Sequence, residues 1–341
     1  MSEGNDFQRI VILGAGSWGI TLACHMHRCG YGVSLWEYRE DVAEKLQQER
    51  RSLELLPEIL LAESIEVSSQ LEELLVDQSM MLVFVVPSHV LREVAQKVAL
   101  LMTRELYVIS AVKGIENGTF KRMSEILEEE LPDGLQSRIA VLSGPSHAEE
   151  VSRQIPTSVV AASLRQDVAE TVQKVFMSPH FRVYTNHDLI GVELGGALKN
   201  IIAIAAGISD GLGFGDNTKG ALLTRGLAEI TRLGVALGAE PSTFAGLSGT
   251  GDLITTCLSR YSRNRYVGEE IGKGKTLSQV LENMVMVAEG VLTTKAAYQL
   301  AQQYRVEMPI TNEVHAVLFE DKEPARAVND LMMRAAKAEM W

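Results

Sequence analysis

The stretch Arg9-Ile-Val-Ile-Leu-Gly-Ala-Gly-Ser-Trp-Gly19 decides the fold of the first half of the chain. It opens with a short, β-rich apolar run, of the kind that is buried on both faces of a parallel sheet. The glycines Gly14, Gly16 and Gly19 match the pattern G-x-G-x-x-G, and a helix-like segment follows at 20–29. Between a strand and a helix, such glycines give a tight turn, close approach of the backbone to a pyrophosphate and close helix packing. The stretch therefore predicts a dinucleotide-binding site in preference to a merely structural turn.

Strand-like and helix-like segments continue to alternate after this stretch. The predicted strands are 33–36, 65–67, 80–86, 107–110, 139–142, 157–162 and 181–184. The helix-like segments between them are 41–52, 90–100 and 166–177. Such alternation is typical of an α/β fold with a parallel sheet. We therefore predict a Rossmann-type dinucleotide-binding domain over residues 1–188.

The pattern changes after residue 188, where almost every segment is helix-like. The predicted helices lie near 192–208, 220–237, 262–272, 289–304, 310–319 and 324–337. Their apolar residues recur at the helical period. We therefore predict an all-α C-terminal domain over residues 189–341, which follows the α/β Rossmann-type domain.

Composition limits the classes of function. The chain has 341 residues, of which 46% are hydrophobic and 22% are charged, as in ordinary globular proteins long enough for two domains. Its formal net charge of −12 argues against a nucleic-acid or anionic-membrane partner. An anionic ligand would therefore need basic contacts that are concentrated in one place.

Three further features bear on location. No apolar run reaches the roughly 18–20 residues of a membrane span, and residues 1–7 lack the features of a signal peptide. Cys24, Cys29 and Cys257 are odd in number and lack the spacing of metal ligands. We therefore expect a cytoplasmic protein with reduced thiols, no metal site and no membrane span.

A lysine lies within the first helix of the second half, in the segment Gly191-Val-Glu-Leu-Gly-Gly-Ala-Leu-Lys-Asn200. On a helix, Gly195, Gly196 and Ala203 share the face of Lys199, so another backbone or a ligand could approach it closely. Apolar neighbours would desolvate the ammonium and lower its pKa towards a range useful for proton transfer. The alternative is a lysine that snorkels from a core helix to water, and this segment alone favours that alternative.

Two loops at the carboxyl ends of predicted strands carry polar groups. Lys113 follows the strand 107–110, and Ser143-Gly-Pro-Ser146 follows the strand 139–142. Open α/β sheets bind ligands at this edge. Gly144 and Ser146 could offer a backbone N–H and a hydroxyl to an anion or a sugar. Without the glycine pattern upstream, a solvated loop lysine would be the default interpretation of Lys113.

Two segments of the second half are also candidates for a site. A glycine-rich turn at 246–253 carries Asp252, which could be a ligand or an ordinary N-cap. The segment 260–265 gathers three arginines, and Ser262 is a good N-cap that would place the N–H groups of Arg263 and Asn264 at a helix N-terminus. Such a terminus with a guanidinium is suited to phosphate. A solvated basic face is the alternative, and the sequence leaves both open.

The residues after the second strand carry contradictory signals on the cofactor. Glu37 could bind a ribose 2′-hydroxyl, which favours NAD, whereas Arg39 could bind a 2′-phosphate, which favours NADP. The sequence does not separate the two.

Taken together, these segments resemble the NAD(P)-dependent glycerol-3-phosphate dehydrogenases of the bacterial type, over nearly the whole chain. The matching segments, in the order of that family, are 14–19, 86–89, 113–114, 143–146, 191–200, 251–253, 262–264 and 287–290. The resemblance implies interconversion of dihydroxyacetone phosphate and sn-glycerol 3-phosphate by hydride transfer with NAD(P)H. It also implies a homodimer that serves phospholipid synthesis.

The resemblance also implies roles for individual residues. Lys199 is implied as the catalytic lysine. The implied contacts to the substrate are Lys113, Gly144, Ser146, Lys199, Asp252, Ser262, Arg263 and Asn264. Besides the three glycines of the first stretch, the implied cofactor contacts are Ser17, Trp18, Lys113, Ala148, Arg263, Val287 and Glu289, with Tyr38 or Arg39 at the adenosine ribose.

The chain departs from the family pattern at two positions. His147 stands where the family commonly has Phe, and Thr250 where an aliphatic residue is common. Neither change removes an implied catalytic group, so we expect them to affect local packing more than activity.

Two other functions compete with this interpretation. A β-hydroxyacid or sugar-acid dehydrogenase would also place a lysine on the first helix of its second domain, but would not need the phosphate-suited segment at Ser262. A regulatory protein that senses NAD(H) without turnover would need the glycine pattern but has no use for Lys199 and Asp252 together.

Overall fold

The computed structural model describes residues 9–75, 80–102, 106–136, 138–282, 284 and 287–339. The expectation that no signal peptide is present concerns residues 1–7, which lie outside these ranges.

Within the described residues, eight strands form one sheet at the centre of the N-terminal domain. The strands are β1 (Arg9–Leu13), β2 (Gly32–Trp36), β3 (Glu66–Ser68), β4 (Met80–Phe84), β5 (Tyr107–Ser110), β6 (Ile139–Ser143), β7 (Thr157–Ala162) and β8 (Phe181–Asn186). Their order is β3-β2-β1-β4-β5-β6-β7-β8, and every neighbouring pair is parallel except β6 with β7. The first six strands follow the Rossmann order, with the ligand-binding crevice at the carboxyl ends of β1 and β4.

Helices cover both faces of this sheet. They are α1 (Ser17–Arg28), α2 (Glu40–Glu49), α3 (Leu71–Leu74), α4 (Leu91–Leu101), α5 (Met123–Glu130), α6 (Asp133–Gln136), α7 (Ala148–Ser152) and α8 (Gln166–Phe176). On β1, Ile10 and Ile12 belong to the core shared with α1 and α8, whereas Val11 and Leu13 belong to the core shared with α4 and α5. Burial on both faces explains why β1 is a continuous apolar run.

The C-terminal domain is built of helices around one central helix. They are α9 (Leu189–Gly211), α10 (Asp216–Ala236), α11 (Pro241–Phe244), α12 (Asp252–Leu258), α13 (Arg263–Gly272), α14 (Leu277–Leu281), α15 (Glu289–Tyr304), α16 (Pro309–Phe319) and α17 (Pro324–Met332). A π-helical turn at Leu247–Gly251 precedes α12. The central helix is α9, which packs against α10, α12, α13 and α15.

Helix α9 is the one described helix that is long and apolar enough to cross a membrane, with a mean hydropathy of 1.6 in its most apolar window. Glu193 and Lys199 interrupt the apolar residues of α9, so the sequence does not indicate an uninterrupted membrane-spanning segment. In the structure, 89% of that window is buried inside the protein. This burial identifies α9 as the core helix of the C-terminal domain.

The crossing of α9 and α13 depends on glycines in both helices. A Cβ at Gly207 of α9 would lie 1.9 Å from the Arg265 carbonyl oxygen, and a Cβ at Gly268 of α13 would lie 1.9 Å from the Ile204 carbonyl oxygen. Real Cβ atoms do not approach backbone oxygens so closely. The two backbones therefore touch, and this contact fixes the N-terminus of α13 relative to α9.

The predicted fold class is confirmed: a Rossmann-type α/β domain is followed by a helical domain. The predicted bounds match β1, β5, β7 and α15. The short helices α3, α5, α6, α7, α11, α12 and α14 are additions to the prediction. Helix α9 begins at Leu189, and the division of the chain at 188/189 stays a prediction.

Candidate active site

Lys199 lies on α9 and faces the start of α12. The N-terminus of α9 is capped by Asp188, whose carboxylate accepts a hydrogen bond of 2.8 Å from the backbone N–H of Gly191. The Lys199 side chain is only 8% exposed. Its Nζ donates to Asp252 Oδ1 at 2.5 Å and to the hydroxyl of Thr256. Lys199 is therefore held inside the protein by a carboxylate and does not snorkel to water.

Lys113 reaches the same carboxylate from the other domain. It follows β5, and its Nζ donates to Asp252 Oδ2 at 2.7 Å and to the Gly144 carbonyl oxygen at 2.9 Å. Asp252 is the first residue of α12 and is 2% exposed. One buried carboxylate thus joins two ammonium groups, and the group of three carries a net positive charge when all are ionised.

The pKa values of this group depend on burial and on the charges of its members. Burial lowers the pKa of Lys199 to about 8, against the attraction of Asp252, and repulsion from Lys113 contributes to the lowering. Burial alone would raise the pKa of Asp252, but the two ammonium groups outweigh it and hold that pKa below its ordinary value. Lys199 can therefore change protonation near neutral pH while Asp252 stays ionised, as a lysine acid/base requires.

Glycines on α9 make room for this group. A Cβ at Gly196 would lie 2.6 Å from Ser143 Oγ and 3.4 Å from Lys113 Cγ. A Cβ at Gly195 would lie 2.6 Å from the Ser248 carbonyl oxygen. The prediction that small residues beside Lys199 permit close approach of another backbone is confirmed at Gly195, whereas Gly196 makes room for the side chains of Ser143 and Lys113.

The N-terminus of α13 is capped as predicted. Ser262 Oγ accepts a hydrogen bond of 3.2 Å from the backbone N–H of Arg265. The amide of Asn264 is buried, where it donates to Asn200 Oδ1 and accepts from the backbone N–H of Gly290, both at 2.9 Å. This amide therefore ties α13 to α9 and α15.

The three arginines of this segment have different partners. Arg260 donates to the hydroxyl of Tyr261 at 3.0 Å, and Arg265 donates to Asp210 at 2.7 Å. Arg263 is exposed, and its Nη1 donates to the Val287 carbonyl oxygen at 2.9 Å. The structure therefore does not gather the three guanidinium groups at one point, and Arg263 is the one that follows the N-cap directly.

The glycine-rich turn after β1 has the geometry of a cofactor cradle. Gly14 has φ +117°, and a Cβ on Gly19 would lie 1.8 Å from the Gly14 carbonyl oxygen. Gly16 precedes α1 with no side-chain cap, and a Cβ there would meet no described atom within 4 Å. The first and third glycines thus allow the turn and the close packing, and the second leaves an open helix N-terminus. These features fit the pyrophosphate of a dinucleotide.

Glu37 and Arg39, the two residues that bear on the choice between NAD and NADP, are in contact after the end of β2. The carboxylate of Glu37 is buried and accepts from the backbone N–H of Arg39 at 3.3 Å and from its Nε at 3.4 Å. The Arg39 side chain is 54% exposed and lies 5.8 Å from the ring centre of Tyr38. The choice between NAD and NADP thus stays open.

Glu289 connects the two domains at the carboxyl edge of the sheet. It begins α15, and its carboxylate accepts from the backbone N–H of Ser88 at 3.0 Å and from the Ser88 hydroxyl at 2.5 Å. A Cβ at Gly114 would lie 2.4 Å from Ser88 Cβ, so glycine is required beside this contact. The adjacent His89 is exposed.

The sequence offered no reason to assign a site role to four polar residues of this region. They are Thr256, which contacts Lys199, Asn200, which contacts Asn264, and Ser143 and His147, which each have a buried side-chain atom without a hydrogen-bond partner in the described part of the chain. Thr256 lies four residues after Asp252, a spacing that places both on one face of a helix. A prediction of α12 would have found it.

Comparison with known proteins gives one family over almost the whole chain. The model of the N-terminus of NAD-dependent glycerol-3-phosphate dehydrogenase matches residues 9–169, and the model of its C-terminus matches residues 188–329. Glycerol-3-phosphate dehydrogenase (NAD(P)+) of Thermoanaerobacter sp. is 52% identical over 332 residues, 97% of this chain and 99% of that protein. The protein of the same name from Chlorobium luteolum is 51% identical over 330 residues, with coverage of 97% and 99%.

Solved structures agree. The crystal structure of glycerol-3-phosphate dehydrogenase from Coxiella burnetii matches with a TM-score of 0.91 and 38% identity, over 96% of this chain and 100% of that one. D-mandelate dehydrogenase matches with a TM-score of 0.63 and 14% identity over 94% of this chain and 99% of that one, which shows a shared fold alone. The chain belongs to the NAD-dependent glycerol-3-phosphate dehydrogenase family.

Proposed function

We propose that Lys199, Asp252 and Lys113 carry the reaction of this family in this chain. The protein is an oxidoreductase that interconverts dihydroxyacetone phosphate and sn-glycerol 3-phosphate with NAD(P)H, and supply of glycerol 3-phosphate for phospholipids is the usual role of the family. The observation that carries the proposal is the contact of 2.5 Å between the buried Lys199 ammonium and Asp252.

Lys199 acts as the acid in reduction and as the base in oxidation. When bound, the nicotinamide supplies the hydride that adds to the ketone carbon. The protonated lysine stabilises the negative charge that grows on the ketone oxygen and then donates its proton to that oxygen. In the opposite direction, the neutral amine takes the proton from the hydroxyl. Asp252 holds the lysine in place, and its charge keeps the ammonium form accessible.

The substrate is held from both domains. Lys113 provides a second cation beside Asp252. Gly144 and Ser146 border it, since the Gly144 carbonyl oxygen accepts from Lys113 and, at 3.0 Å, from Ser146 Oγ. Arg263, with Ser262 and Asn264 at the start of α13, binds the phosphate through its guanidinium and through backbone N–H groups. A fixed phosphate positions the ketone for attack.

Residues at the carboxyl edge of the sheet would hold the cofactor. The open N-terminus of α1 would hold its pyrophosphate, and Tyr38 or Arg39 would contact its adenosine ribose. The remaining contacts that we propose are Gly14, Gly16, Ser17, Trp18, Gly19, Lys113, Ala148, Arg263, Val287 and Glu289. The uncapped helix start at Gly16 supports the first of these placements, and the exposed Arg39 side chain supports the second.

A cytoplasmic location and a homodimer are part of the proposal. The free cysteines Cys24, Cys29 and Cys257 support a reducing compartment. Light scattering on the purified protein should give twice the chain mass of 37.4 kDa. A mass of one chain at micromolar concentration would contradict the dimer.

The direct test is an assay of cofactor oxidation. The purified protein is mixed with dihydroxyacetone phosphate and, separately, NADH or NADPH, and the loss of the reduced cofactor is followed. We expect turnover that disappears when unphosphorylated dihydroxyacetone replaces the phosphate ester. Cofactor binding without turnover would contradict the proposal, and the two cofactor traces decide between the Glu37 and Arg39 signals.

A further inference from the structure

Glu37 is a buried acid beside the glycine-rich turn. It directly follows β2, and the backbone N–H of Gly14, where that turn begins, donates to the Trp36 carbonyl oxygen at 3.0 Å. The backbone N–H of Glu37 donates to the Ser68 carbonyl oxygen at 3.1 Å, which ties this point to the end of β3. In dinucleotide-binding folds, an acid in this position meets the 2′ position of the adenosine ribose. That position carries a hydroxyl in NADH and a phosphate in NADPH, so Glu37 is placed to distinguish them.

The Glu37 carboxylate also holds the side chain that could bind a 2′-phosphate. Arg39 donates to Glu37 Oε1 from its backbone N–H at 3.3 Å and from its Nε at 3.4 Å. The Glu37 side chain is 9% exposed and the Arg39 side chain is 54% exposed, so the carboxylate is enclosed by the protein while the arginine lies at the surface. A phosphate that recruits Arg39 must therefore compete with a carboxylate that already contacts it.

The second oxygen of this carboxylate is available to a ligand. Both contacts with Arg39 are made by Oε1, and Oε2 has no hydrogen-bond partner among the residues that the structure describes. An ionised carboxylate only accepts hydrogen bonds. It can accept one from the 2′-hydroxyl of NADH, whereas an ionised 2′-phosphate has no proton to donate and is repelled by the negative charge.

The charges around Glu37 act in the same direction. Residues 37–41 are Glu-Tyr-Arg-Glu-Asp, with three carboxylates and one guanidinium. The N-terminus of α2 would attract an anion, but Glu40 and Asp41 lie in its first turn and offset that attraction. This segment therefore disfavours a dianion even when Arg39 is counted.

We propose that Glu37 makes this chain select NADH over NADPH. Its carboxylate accepts a hydrogen bond from the ribose 2′-hydroxyl and withholds the Arg39 guanidinium from a 2′-phosphate. Glu37 is thus a specificity-determining residue for the cofactor. This inference rests on the part of the proposed function that puts the adenosine ribose beside Tyr38 and Arg39.

The test measures the binding of each cofactor to the full chain without substrate. Fluorescence titration gives the dissociation constants of NADH and NADPH for the unsubstituted protein and for Glu37→Gln, which keeps the size of the side chain and removes its charge. We expect the unsubstituted protein to bind NADH about 10-fold more tightly or better, as for one hydrogen bond to a charged group. In Glu37→Gln this preference should fall by roughly 10–10²-fold, with tighter binding of NADPH.

A second substitution tests the competition for Arg39. In the unsubstituted protein, Arg39→Ala should change the dissociation constant of NADPH by less than about 3-fold, because Glu37 already holds the guanidinium. In the Glu37→Gln background, Arg39→Ala should weaken NADPH binding about 10-fold, because the released guanidinium then contacts the phosphate. Equal effects of Arg39→Ala in the two backgrounds would overturn the inference.

Glu40→Gln is the matched control, since it removes an exposed charge next to Arg39 in the chain. It should change the preference between the cofactors by less than about 3-fold, because exposed charges are screened by water. A change as large as that of Glu37→Gln, or tighter binding of NADPH by the unsubstituted protein, would overturn the role of Glu37. If these binding preferences are found but dihydroxyacetone phosphate is not reduced, the role of Glu37 is supported and the proposed reaction is contradicted.

Discussion

Burial lowers the pKa of Lys199 and the contact with Asp252 raises it, and the balance determines whether this lysine can act as an acid and a base. A fully hydrated lysine stays protonated at neutral pH, so it is a poor base there. An unpaired buried lysine instead loses its charge. In this protein burial lowers the pKa to about 8, and Asp252 at 2.5 Å prevents a further fall. The result is a group that can give a proton in one direction of the reaction and take it in the other.

Removal of this group should affect turnover far more than cofactor binding. In Lys199→Ala we expect kcat to fall by about 10²–10⁴-fold, the usual contribution of a positioned acid/base. The dissociation constant for NADH or NADPH should change little, because the glycine-rich turn that would hold the pyrophosphate is untouched. Steady-state rates and fluorescence titration of the cofactor measure the two quantities. Near-normal kcat would rule out Lys199 as the acid/base.

The carboxylate should control the pH range of the reaction. Reduction requires the protonated lysine, so its rate should fall as pH rises through about 8. Asp252 raises the pKa of Lys199, so Asp252→Asn should move this fall to lower pH and also reduce the maximal rate. The measurement is kcat for ketone reduction against pH. Thr256→Val is the matched control, since it removes a hydrogen bond to Lys199 but no charge. If the pH at which kcat falls is unchanged in Asp252→Asn, the proposed effect of Asp252 on the pKa of Lys199 is contradicted.

At the scale of single residues, the sequence indicated which residues could act in the site, but not which side chains contact one another. It singled out Lys113, Lys199 and Asp252 as candidates, but Lys199 and Asp252 are 53 positions apart and Lys113 and Asp252 are 139 apart. No local pattern predicts that one carboxylate joins both lysines. Likewise, the cap at Ser262 could be predicted from its neighbours, whereas the contact of Asn264 with Asn200 could not.

At the scale of elements, α9 carries Lys199, and the start of α13 carries the residues proposed for the phosphate. Their backbones touch, because a Cβ at Gly268 would lie 1.9 Å from the Ile204 carbonyl oxygen. A backbone oxygen within a helix cannot rotate away as a side chain can. The glycine therefore holds the start of α13 at its present distance from Lys199.

An added methyl group at this crossing should destabilise the protein. We expect Gly268→Ala to lower the free energy of unfolding by roughly 3 kcal/mol, at the upper end of the cost of overpacking. Gly220→Ala is the matched control: it lies on α10, where a Cβ would meet no described atom within 4 Å, and should raise stability by about 0.5–1 kcal/mol. Denaturant unfolding measures both. Equal effects of the two substitutions would contradict the close crossing.

Long periodic elements could be predicted from the sequence, and short ones could not. The strands β1, β5 and β7 are apolar runs bounded by polar or turn residues, and α15 has a sustained helical period. By contrast, α12 has seven residues, among them two threonines and an isoleucine, and follows a glycine-rich π-helical turn. Neither propensity nor period distinguishes such a segment from a loop.

At the scale of the whole molecule, a buried carboxylate near the N-terminal end of α9 links the two domains. Glu193 accepts from the Ser124 backbone N–H at 2.8 Å, from the Ser124 hydroxyl at 2.6 Å and from the guanidinium of Arg122. Both Ser124 and Arg122 lie at the start of α5 in the N-terminal domain. The fold class followed from the sequence, but this link did not, because its partners are polar residues without a periodic pattern.

Loss of that carboxylate should cost far more than loss of a surface ion pair. Glu193→Ala leaves the Arg122 charge with the more exposed Glu125 as its ionic partner and removes the buried acceptor of Ser124, and we expect the free energy of unfolding to fall by about 3–5 kcal/mol. Glu93→Ala, which breaks the exposed pair with Lys97, should change stability little. Thermal or denaturant unfolding measures both variants. A cost of Glu193→Ala as small as that of Glu93→Ala would show that the link is not structural.

The contact between Lys113 and Asp252 also has a consequence for protein synthesis. Its two partners come from the two domains, and the contact of Asn264 with Gly290 closes the same region still later in the chain. The sheet that cradles the dinucleotide is complete at Asn186, so it can form on the ribosome while the rest of the polypeptide is still being translated. The dinucleotide-binding domain of a nascent chain can thus fold early. We expect no catalytic activity until α15 has left the exit tunnel, because the active site is incomplete before then.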